Sequence, residues 1–318
     1  MRQRFISPAL AITFLLGACS SEDANSKSKT EKTGDSTSSI TLTDFAGREV
    51  SIEKVPERIV SLSGGDMDII YALGGEVAGR PTSSHEENDA PYKDAIQIGS
   101  THQFNLEKIA SLKPDVIIGN NPMNTKDVEN FESIGAEALL TSANSVDEIK
   151  KQITLYGDML QKQEEAEKLT EEIDADIKKM SAGSTENEKR ALLVYGAPGT
   201  YMAALPNSLS GNLLELAGGE NIASDYPALE QYPQYAQLNT ERIVEANPEY
   251  VFLLTHGNPK EVKAGFLKEM SENPAWNNVA AVKNDKVEIL PADLFGTNPG
   301  TRITEAISYL DNILNAEE

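Results

Sequence analysis

Apolar positions along this chain recur with period two, then 3.6, then two again, from about residue 40 onward. Ile40-Thr41-Leu42-Thr43-Asp44 alternates and predicts a strand, with its turn at Ala46-Gly47-Arg48-Glu49. Arg58-Ile59-Val60-Ser61-Leu62 has the continuous apolar character of a buried strand. Gly64-Gly65 follow, then an amphipathic helix to Leu73 that Gly74-Gly75 stops. Ala95-Ile96-Gln97-Ile98-Gly99 predicts another strand and turn, ahead of a helix that begins near Asn105.

Parts of this pattern occur twice. Asp68-Ile69-Ile70-Tyr71-Ala72-Leu73-Gly74-Gly75-Glu76 is echoed by Asn212-Leu213-Leu214-Glu215-Leu216-Ala217-Gly218-Gly219-Glu220. Glu107-Lys108-Ile109-Ala110-Ser111-Leu112-Lys113-Pro114-Asp115-Val116-Ile117-Ile118 is echoed by Glu241-Arg242-Ile243-Val244-Glu245-Ala246-Asn247-Pro248-Glu249-Tyr250-Val251-Phe252. In the second pair a short helix starts near the Glu, Pro breaks it, and an apolar strand follows. Helix–Pro–strand is common in any α/β protein, but two echoes in the same order predict two lobes of similar α/β build.

A helical stretch lies between the echoes. Ser145-Val146-Asp147-Glu148 has the spacing of a capping box. Ile149, Ile153, Tyr156 and Leu160 then recur at helical spacing. After a polar break at Gln161-Lys162-Gln163, a second stripe runs through Ala166, Leu169, Ile173, Ile177 and Met180, with no Gly or Pro before Gly183. That stripe predicts a stiff rod of roughly 25 Å at about 1.5 Å per residue, which limits how far two lobes joined by it can open.

The first residues carry a different signal. Arg2 and Arg4 precede an apolar run from Phe5 to Leu16, too short to span a bilayer comfortably and typical of a signal-peptide core. The run ends in Leu16-Gly17-Ala18-Cys19, which resembles a bacterial lipobox with Cys19 as the lipidated residue, the chain being cut just before it. Residues 20–39 hold almost no apolar side chain and read as a flexible tether. The expected organisation is therefore a signal peptide over 1–18, lipidated Cys19 and tether over 19–39, an N-lobe over 40–144, a helical bridge over 145–183 and a C-lobe over 184–318.

Composition narrows the function. Cys19 is the one cysteine in the chain, so neither a disulfide nor a thiolate metal site is available to the folded body. The formal charge of −22 becomes −24 when Arg2 and Arg4 are cleaved away, and such an acidic surface repels phosphate backbones, which argues against a nucleic-acid partner. An enzyme has no residues to stand on. His85-Glu86 lacks the second His of a zinc-protease helix, no Gly-x-Ser-x-Gly elbow occurs, and Gly196-Ala197-Pro198-Gly199 lacks the Lys and spacing of a phosphate loop.

There are three histidines, and two lie next to predicted strand ends. His256 follows the apolar run Tyr250-Val251-Phe252-Leu253-Leu254, with Thr255 between and Gly257 after it. His102 follows the Ala95–Gly99 strand and precedes the helix near Asn105. Open α/β sheets bind ligands outside the carboxyl ends of their strands, so one His from each lobe would face a shared cleft. A lone His at a strand end is by itself more often a hydrogen-bonded surface residue. His85 sits in a polar loop, Thr82-Ser83-Ser84-His85-Glu86-Glu87-Asn88-Asp89, and reads as solvent-exposed.

Taken together these residues resemble the substrate-binding lipoproteins of ABC importers for iron complexes and cobalamin. The resemblance covers nearly all of residues 41–316 and is strongest at Pro56-Glu57-Arg58-Ile59-Val60-Ser61-Leu62, from Asn105-Leu106-Glu107 to Pro114-Asp115, and at Leu216-Ala217-Gly218-Gly219-Glu220-Asn221. It implies two Rossmann-like lobes bridged by a long rigid α-helix, with the ligand cleft between them. Tyr195-Gly196-Ala197-Pro198-Gly199-Thr200-Tyr201, Thr255-His256-Gly257-Asn258-Pro259 and Leu294-Phe295-Gly296 resemble the staphylococcal haem-receptor branch of that family.

In that branch one side chain from each lobe holds the haem iron, a C-lobe His and an N-lobe Met. By resemblance these positions fall on His256 and His102, so here His replaces the Met. Imidazole is also a good axial ligand, and a bis-His, six-coordinate iron suits transport better than catalysis. Tyr201, Met202, Phe104 and Phe295 are expected against the porphyrin face, with Phe104 also readable as core. Arg80, Arg302 and backbone N–H groups at glycine-rich helix starts are expected donors to the propionates.

By the same resemblance, Glu107 and Glu241 are expected to meet Arg residues of the permease, which works with its ATPase. The protein is expected to be a monomer on the extracytoplasmic face of the cell membrane. The alternative cargo on the same scaffold is a ferric siderophore or cobalamin. A bare zinc or manganese site would want three or four His and carboxylate ligands in one cluster.

Overall fold

The computed structural model describes residues 39–82, 92–100, 103–181, 189–197, 199–255, 258–296 and 298–316. The signal peptide, Cys19 and the tether lie outside them. The alternation at Ile40–Thr43 forms β1, which pairs antiparallel with β2 (Glu49–Ile52) across the expected turn, where Gly47 takes φ +76°. Asp44 holds that turn: its carboxylate accepts the backbone N–H of Ala46 at 3.0 Å and of Arg48 at 2.9 Å.

The N-lobe sheet is wholly parallel. It comprises β3 (Ile59–Ser61), β4 (Val77–Arg80), β5 (Ile96–Gln97), β6 (Val116–Asn120) and β7 (Glu137–Thr141), in the order β5-β4-β3-β6-β7. The chain winds outward from β3 on one side and then reverses to β6, so the topological switch point lies between β3 and β6. The crossovers carry α1 (Gly64–Ala72), α2 (Leu106–Leu112) and α3 (Val128–Ser133). One expectation changes here. α1 is not amphipathic but buried through Gly65, Asp66, Met67, Ile69 and Ile70, because it packs between the sheet, the next long helix and the segment 298–302.

The linking stretch is two helices, α4 (Val146–Leu160) and α5 (Gln163–Ser181), separated at the polar break. Gln161 turns into the left-handed region at φ 56° and ends α4. The two run antiparallel. Lys150 pairs with Asp174 at 2.6 Å, and Gly157 lies against Ala166, where a larger side chain would collide. Ser145 accepts the N–H of Glu148 at 3.2 Å as a capping box requires, whereas Glu148 reaches back to the N–H of Asn144, at 2.7 Å, one residue before the cap. α4 packs on β1 and α1, and α5 packs on α4 and on the last helix of the C-lobe.

The C-lobe sheet is mixed. β8 (Lys189–Ala197) turns directly into antiparallel β9 (Thr200–Ala204), while β10 (Gly219–Asn221) and β12 (Tyr250–Thr255) run parallel to β8 on either side. β11 (Tyr235–Gln237) extends the sheet beyond β9, and β13 (Val287–Ile289) extends it beyond β12. Its helices are α6 (Leu209–Leu216), α7 (Thr240–Ala246), α8 (Pro259–Glu272), α9 (Ala280–Lys283), α10 (Ala292–Phe295) and α11 (Ile303–Leu314).

The sequence echoes are structural. Asn105 caps α2 by accepting the N–H of Lys108, and Asn239 caps α7 by accepting that of Arg242. Both helices end on a left-handed residue, Lys113 at φ 50° and Asn247 at φ 45°. Both then return to the head of the central strand: Asp115 accepts the N–H of Arg58 at 2.8 Å, and Glu249 accepts that of Arg190 at 3.4 Å. In the other echo, Gly74 and Gly218 both take φ +79°, after α1 and α6.

One hydrophobic core runs through both lobes. It begins at Ile59, Ile118 and Leu139, continues through Ile149, Ile153 and Tyr156 on α4 and Ala166 and Ile173 on α5, and ends among Leu193, Phe252, Ile307 and Leu310. Each sheet has a separate core on its other face, around Ile117 and Phe131 in the N-lobe and Phe266 and Trp276 in the C-lobe. Among the described residues no helix is long and apolar enough to cross a membrane.

Candidate functional site

His102, His256 and His85 all lie outside the described residues; their immediate neighbours do not. On the N-lobe, β5 leads through Ile98 to Gly99, which takes φ +111° because Gln103 and Phe104 pass too close for a Cβ. Ser100 and Gln103 exchange backbone hydrogen bonds of 3.1 and 3.2 Å, and Asn105 then caps α2. On the C-lobe, β12 ends at Thr255 beside Gly196 of β8, and Asn258 caps α8 by accepting the N–H of Lys260 at 3.1 Å. Each candidate histidine thus falls in the chain between the carboxyl end of a parallel strand and the cap of the next helix. Thr255 is 7 % exposed and its hydroxyl has no hydrogen-bond partner among the described residues, a polar atom left open at this edge.

The residues expected around the ligand do not form one group. Tyr201 and Met202 are neighbours on β9, so their side chains leave on opposite faces. Tyr201 packs its ring on Phe266 at 5.2 Å and donates its hydroxyl to the carbonyl of Val262 at 3.2 Å, which commits it to α8. Met202 pairs in register with Tyr195, on the face shared with Leu193. Phe104 packs on Phe131 at 5.4 Å, as a core residue would. Phe295, at 6 % exposed, is core as well: α10 turns it inward against Tyr309, with ring centroids 6.0 Å apart.

The two arginines differ. Arg80 ends β4, is 6 % exposed and lies with its guanidinium 6.0 Å from the ring of Tyr92. Arg302 is drawn to Glu305 at 2.8 Å and Asp293 at 3.0 Å, which together hold its guanidinium above its ordinary pKa. Arg302 is thus already engaged by two exposed carboxylates.

Glu107 and Glu241 occupy the same place on equivalent helices, two residues after the capping asparagine, and both are exposed. Beside Glu241 a recess of about 600 Å³ is lined by Tyr226, Leu238, Arg242 and Asn273, among others. Arg242 covers the ring of Tyr226 at 4.5 Å and pairs with Asp225.

Residues not singled out from the pattern also converge on the region. Tyr195 and Tyr235 pack at 5.2 Å beside Met202, and burial pushes the Tyr235 hydroxyl up to about 12. Alternation along β8, which puts Tyr195 on the face of Leu193, is the signal that could have found it. Asp66, 2 % exposed, sits in the first turn of α1 with its carboxylate against Tyr156 and Gln152 of α4. An acid, Asp66, directly between Gly65 and Met67 on the buried side of a mostly apolar helix is its signal.

Comparison with known proteins follows the same outline. The chain is 28% identical over 236 residues to the high-affinity heme uptake system protein IsdE of Staphylococcus aureus strain Newman, a match covering 74% of this chain and 79% of that one. Its structure is similar to an ABC transporter substrate-binding protein from Listeria monocytogenes EGD-e, with a TM-score of 0.71 and 29% identity, over 83% of this chain and 100% of that one. It is equally similar to S. aureus IsdE complexed with heme, with a TM-score of 0.71 and 27% identity, over 81% of this chain and 98% of that one. These relatives are transport binding proteins, not enzymes. The periplasmic binding protein profile matches residues 59–294, from the central strand of the first sheet to α10 of the second, and the chain belongs to that family.

Proposed function

We propose that this protein is an extracytoplasmic haem receptor, lipidated at Cys19, that captures haem between its lobes and passes it to an ABC permease. His102 and His256 are its axial ligands, one from each lobe. The observation that carries the reading is the position of these two residues along the chain. Each falls between a strand's carboxyl end and the cap of the following helix, at the edge where open α/β sheets take ligands. A relative named for high-affinity heme uptake, and solved with heme, matches this chain across both lobes.

The local chemistry agrees. Met202, Tyr195 and Tyr235 offer apolar and aromatic surface on one face of the C-lobe sheet, suited to a planar ligand. Arg80, at the end of β4, is the candidate donor to a propionate. Glu107 and Glu241 are the docking carboxylates toward two permease subunits, and the recess beside Glu241 gives a basic side chain room to enter.

The test is optical. Haemin is added to the purified protein and to His102→Ala and His256→Ala, and the spectra are compared. Wild type is expected to give a low-spin bis-imidazole spectrum, and each substitution to abolish or convert it. Identical spectra in all three proteins would refute the ligand assignment. Saturable binding of a ferric siderophore or cobalamin in place of haemin would assign the scaffold another cargo.

A further inference from the structure

α1 of the N-lobe and the segment 298–302 of the C-lobe meet with no room for a side chain between their backbones. A Cβ on Gly65 would strike the backbone oxygen of Asn298. Gly300, at φ +63°, lies against Asp68 and the carbonyl of Gly65 in the same way. Glycine is needed at both positions for this approach.

Beside that seam, on the side of α4, α1 buries a carboxyl group. Oδ1 of Asp66 accepts the hydroxyl of Tyr156 at 2.9 Å and the amide of Gln152 at 3.1 Å. The Tyr156 hydroxyl also lies 3.3 Å from that of Thr141. The amide oxygen of Gln152 accepts Nδ2 of Asn298 at 2.9 Å, and Oδ1 of Asn298 accepts the N–H of Gly300 at 2.9 Å. A continuous hydrogen-bonded chain therefore runs from β7 and α1 of one lobe, through α4, to the other lobe. Asp66, Thr141, Gln152 and Tyr156 are all buried.

We propose that Asp66 is a proton-operated latch between the lobes: neutral, it holds segment 298–302 against α1 through Gln152 and Asn298, and ionised, it draws water into the seam and releases that segment. A buried carboxylate without a cation beside it costs far more than a buried carboxylic acid. The groups facing Asp66 supply none among the described residues. Tyr156 from α4 is held well above its ordinary pKa, first by burial and then by Asp66 itself, so it only donates. Asp68 on α1 carries a like charge and is engaged by Thr301 at 2.7 Å. Ser63, Thr141, Gln152 and Asn298 are uncharged.

Burial accordingly pushes the Asp66 carboxyl up from 3.8 to about 7, against the hydrogen bonds it accepts. Opening the seam hydrates the group and returns it toward its ordinary range. The open form then binds fewer protons, and opening is favoured by up to about tenfold per pH unit between those two values.

The test needs no ligand, so its outcome is separate from that of the haem experiment. Spin labels are placed on exposed sites of opposite lobes, at Glu129→Cys on α3 and Lys268→Cys on α8, in the full chain with Cys19→Ser. Double electron–electron resonance then reads the inter-lobe distance at pH 5 and pH 8.5. Otherwise wild-type protein is expected to give one narrow distance at the lower pH and a growing longer population at the higher. Asp66→Asn is expected to keep the narrow distance at both, and Asn298→Ala to show the longer population at both. The latch is overturned if the unsubstituted seam gives the same distribution at both pH values, if Asp66→Asn opens with pH as wild type does, or if Asn298→Ala stays narrow at pH 5.

Discussion

Thr301 gives both its backbone N–H and its hydroxyl to one oxygen of Asp68, at 2.7 and 2.5 Å. The contact joins the second turn of a helix in the N-lobe to the turn that opens α11 in the C-lobe. An acid of one lobe thus supplies the acceptor that a helix start in the other requires. Asp68→Ala leaves both donors of Thr301 unsatisfied in a half-buried place, and is expected to cost about 1–3 kcal/mol in urea unfolding. Asp68→Asn, which keeps one acceptor oxygen, is expected to lose less. Equal losses for the two would mean that the hydrogen bonds contribute nothing beyond the carboxylate's charge.

The raised pKa of Asp66 has a consequence for stability. With a folded value near 7 against 3.8 unfolded, its contribution is fully present below 3.8 and is lost as pH rises through about 7. At about 1.4 kcal/mol for each pH unit between the two values, the loss amounts to a few kcal/mol. Asp66→Asn removes the titration and keeps an acceptor for Tyr156 and Gln152. The difference in unfolding free energy between Asp66→Asn and wild type is expected to grow in the mutant's favour from pH 4 to pH 8. A pH-independent difference would show that Asp66 does not titrate in this window.

Because one hydrophobic core includes Ile118, Ile153, Ile173 and Leu310, neither lobe can lose its packing alone. Unfolding is expected to be a single transition. Fluorescence of Trp276, which lies in the C-lobe's outer core, should follow the same denaturant curve as far-UV circular dichroism of the whole chain. Ile153→Ala opens a cavity in the shared core and is expected to shift both probes together, by about 2–5 kcal/mol. Two separated transitions would contradict a shared core.

Charge reversal tests the docking faces. Glu107→Lys and Glu241→Lys change exposed carboxylates, so both proteins should fold and bind haemin as wild type does. Delivery to the reconstituted permease is expected to fall at least tenfold for the double substitution, and wild-type association to weaken as salt rises. Delivery unchanged by the double substitution would remove both residues from the interface.

How much of this is legible in the chain alone depends on the range of the interactions involved. The β1 turn at Asp44–Arg48, the Asn105 and Ser145 caps, the break at Gln161 and the repeated helix–Pro–strand units depend on neighbours a few residues apart, and the linear pattern contains them. The burial of α1 through Gly65, Asp66 and Met67 as well as Ile69 and Ile70 does not. It requires segment 298–302, more than two hundred residues away, to arrive against Gly65. The expected grouping of Tyr201 with Met202 fails because β9 is a strand, and adjacent strand residues face opposite ways. Phe295 and Arg302 suit a haem by residue type alone. Glu305 is a local i,i+3 partner of Arg302, but Tyr309 and Asp293 are brought in by the meeting of α10 and α11, whose relative placement no local pattern encodes.

By itself, then, the order of residues determined the doubled α/β construction, its helix boundaries and the positions of His102 and His256 beside strand ends, because hydrophobic period and capping are local. Only the tertiary structure decided which side chains remain open to a ligand and which are taken by the core, and that a single core unites the lobes. It also decided that an acid is trapped at their seam. Burial and hydrogen-bond partnership are properties of the segments that meet, and the meeting is set by packing across the whole fold.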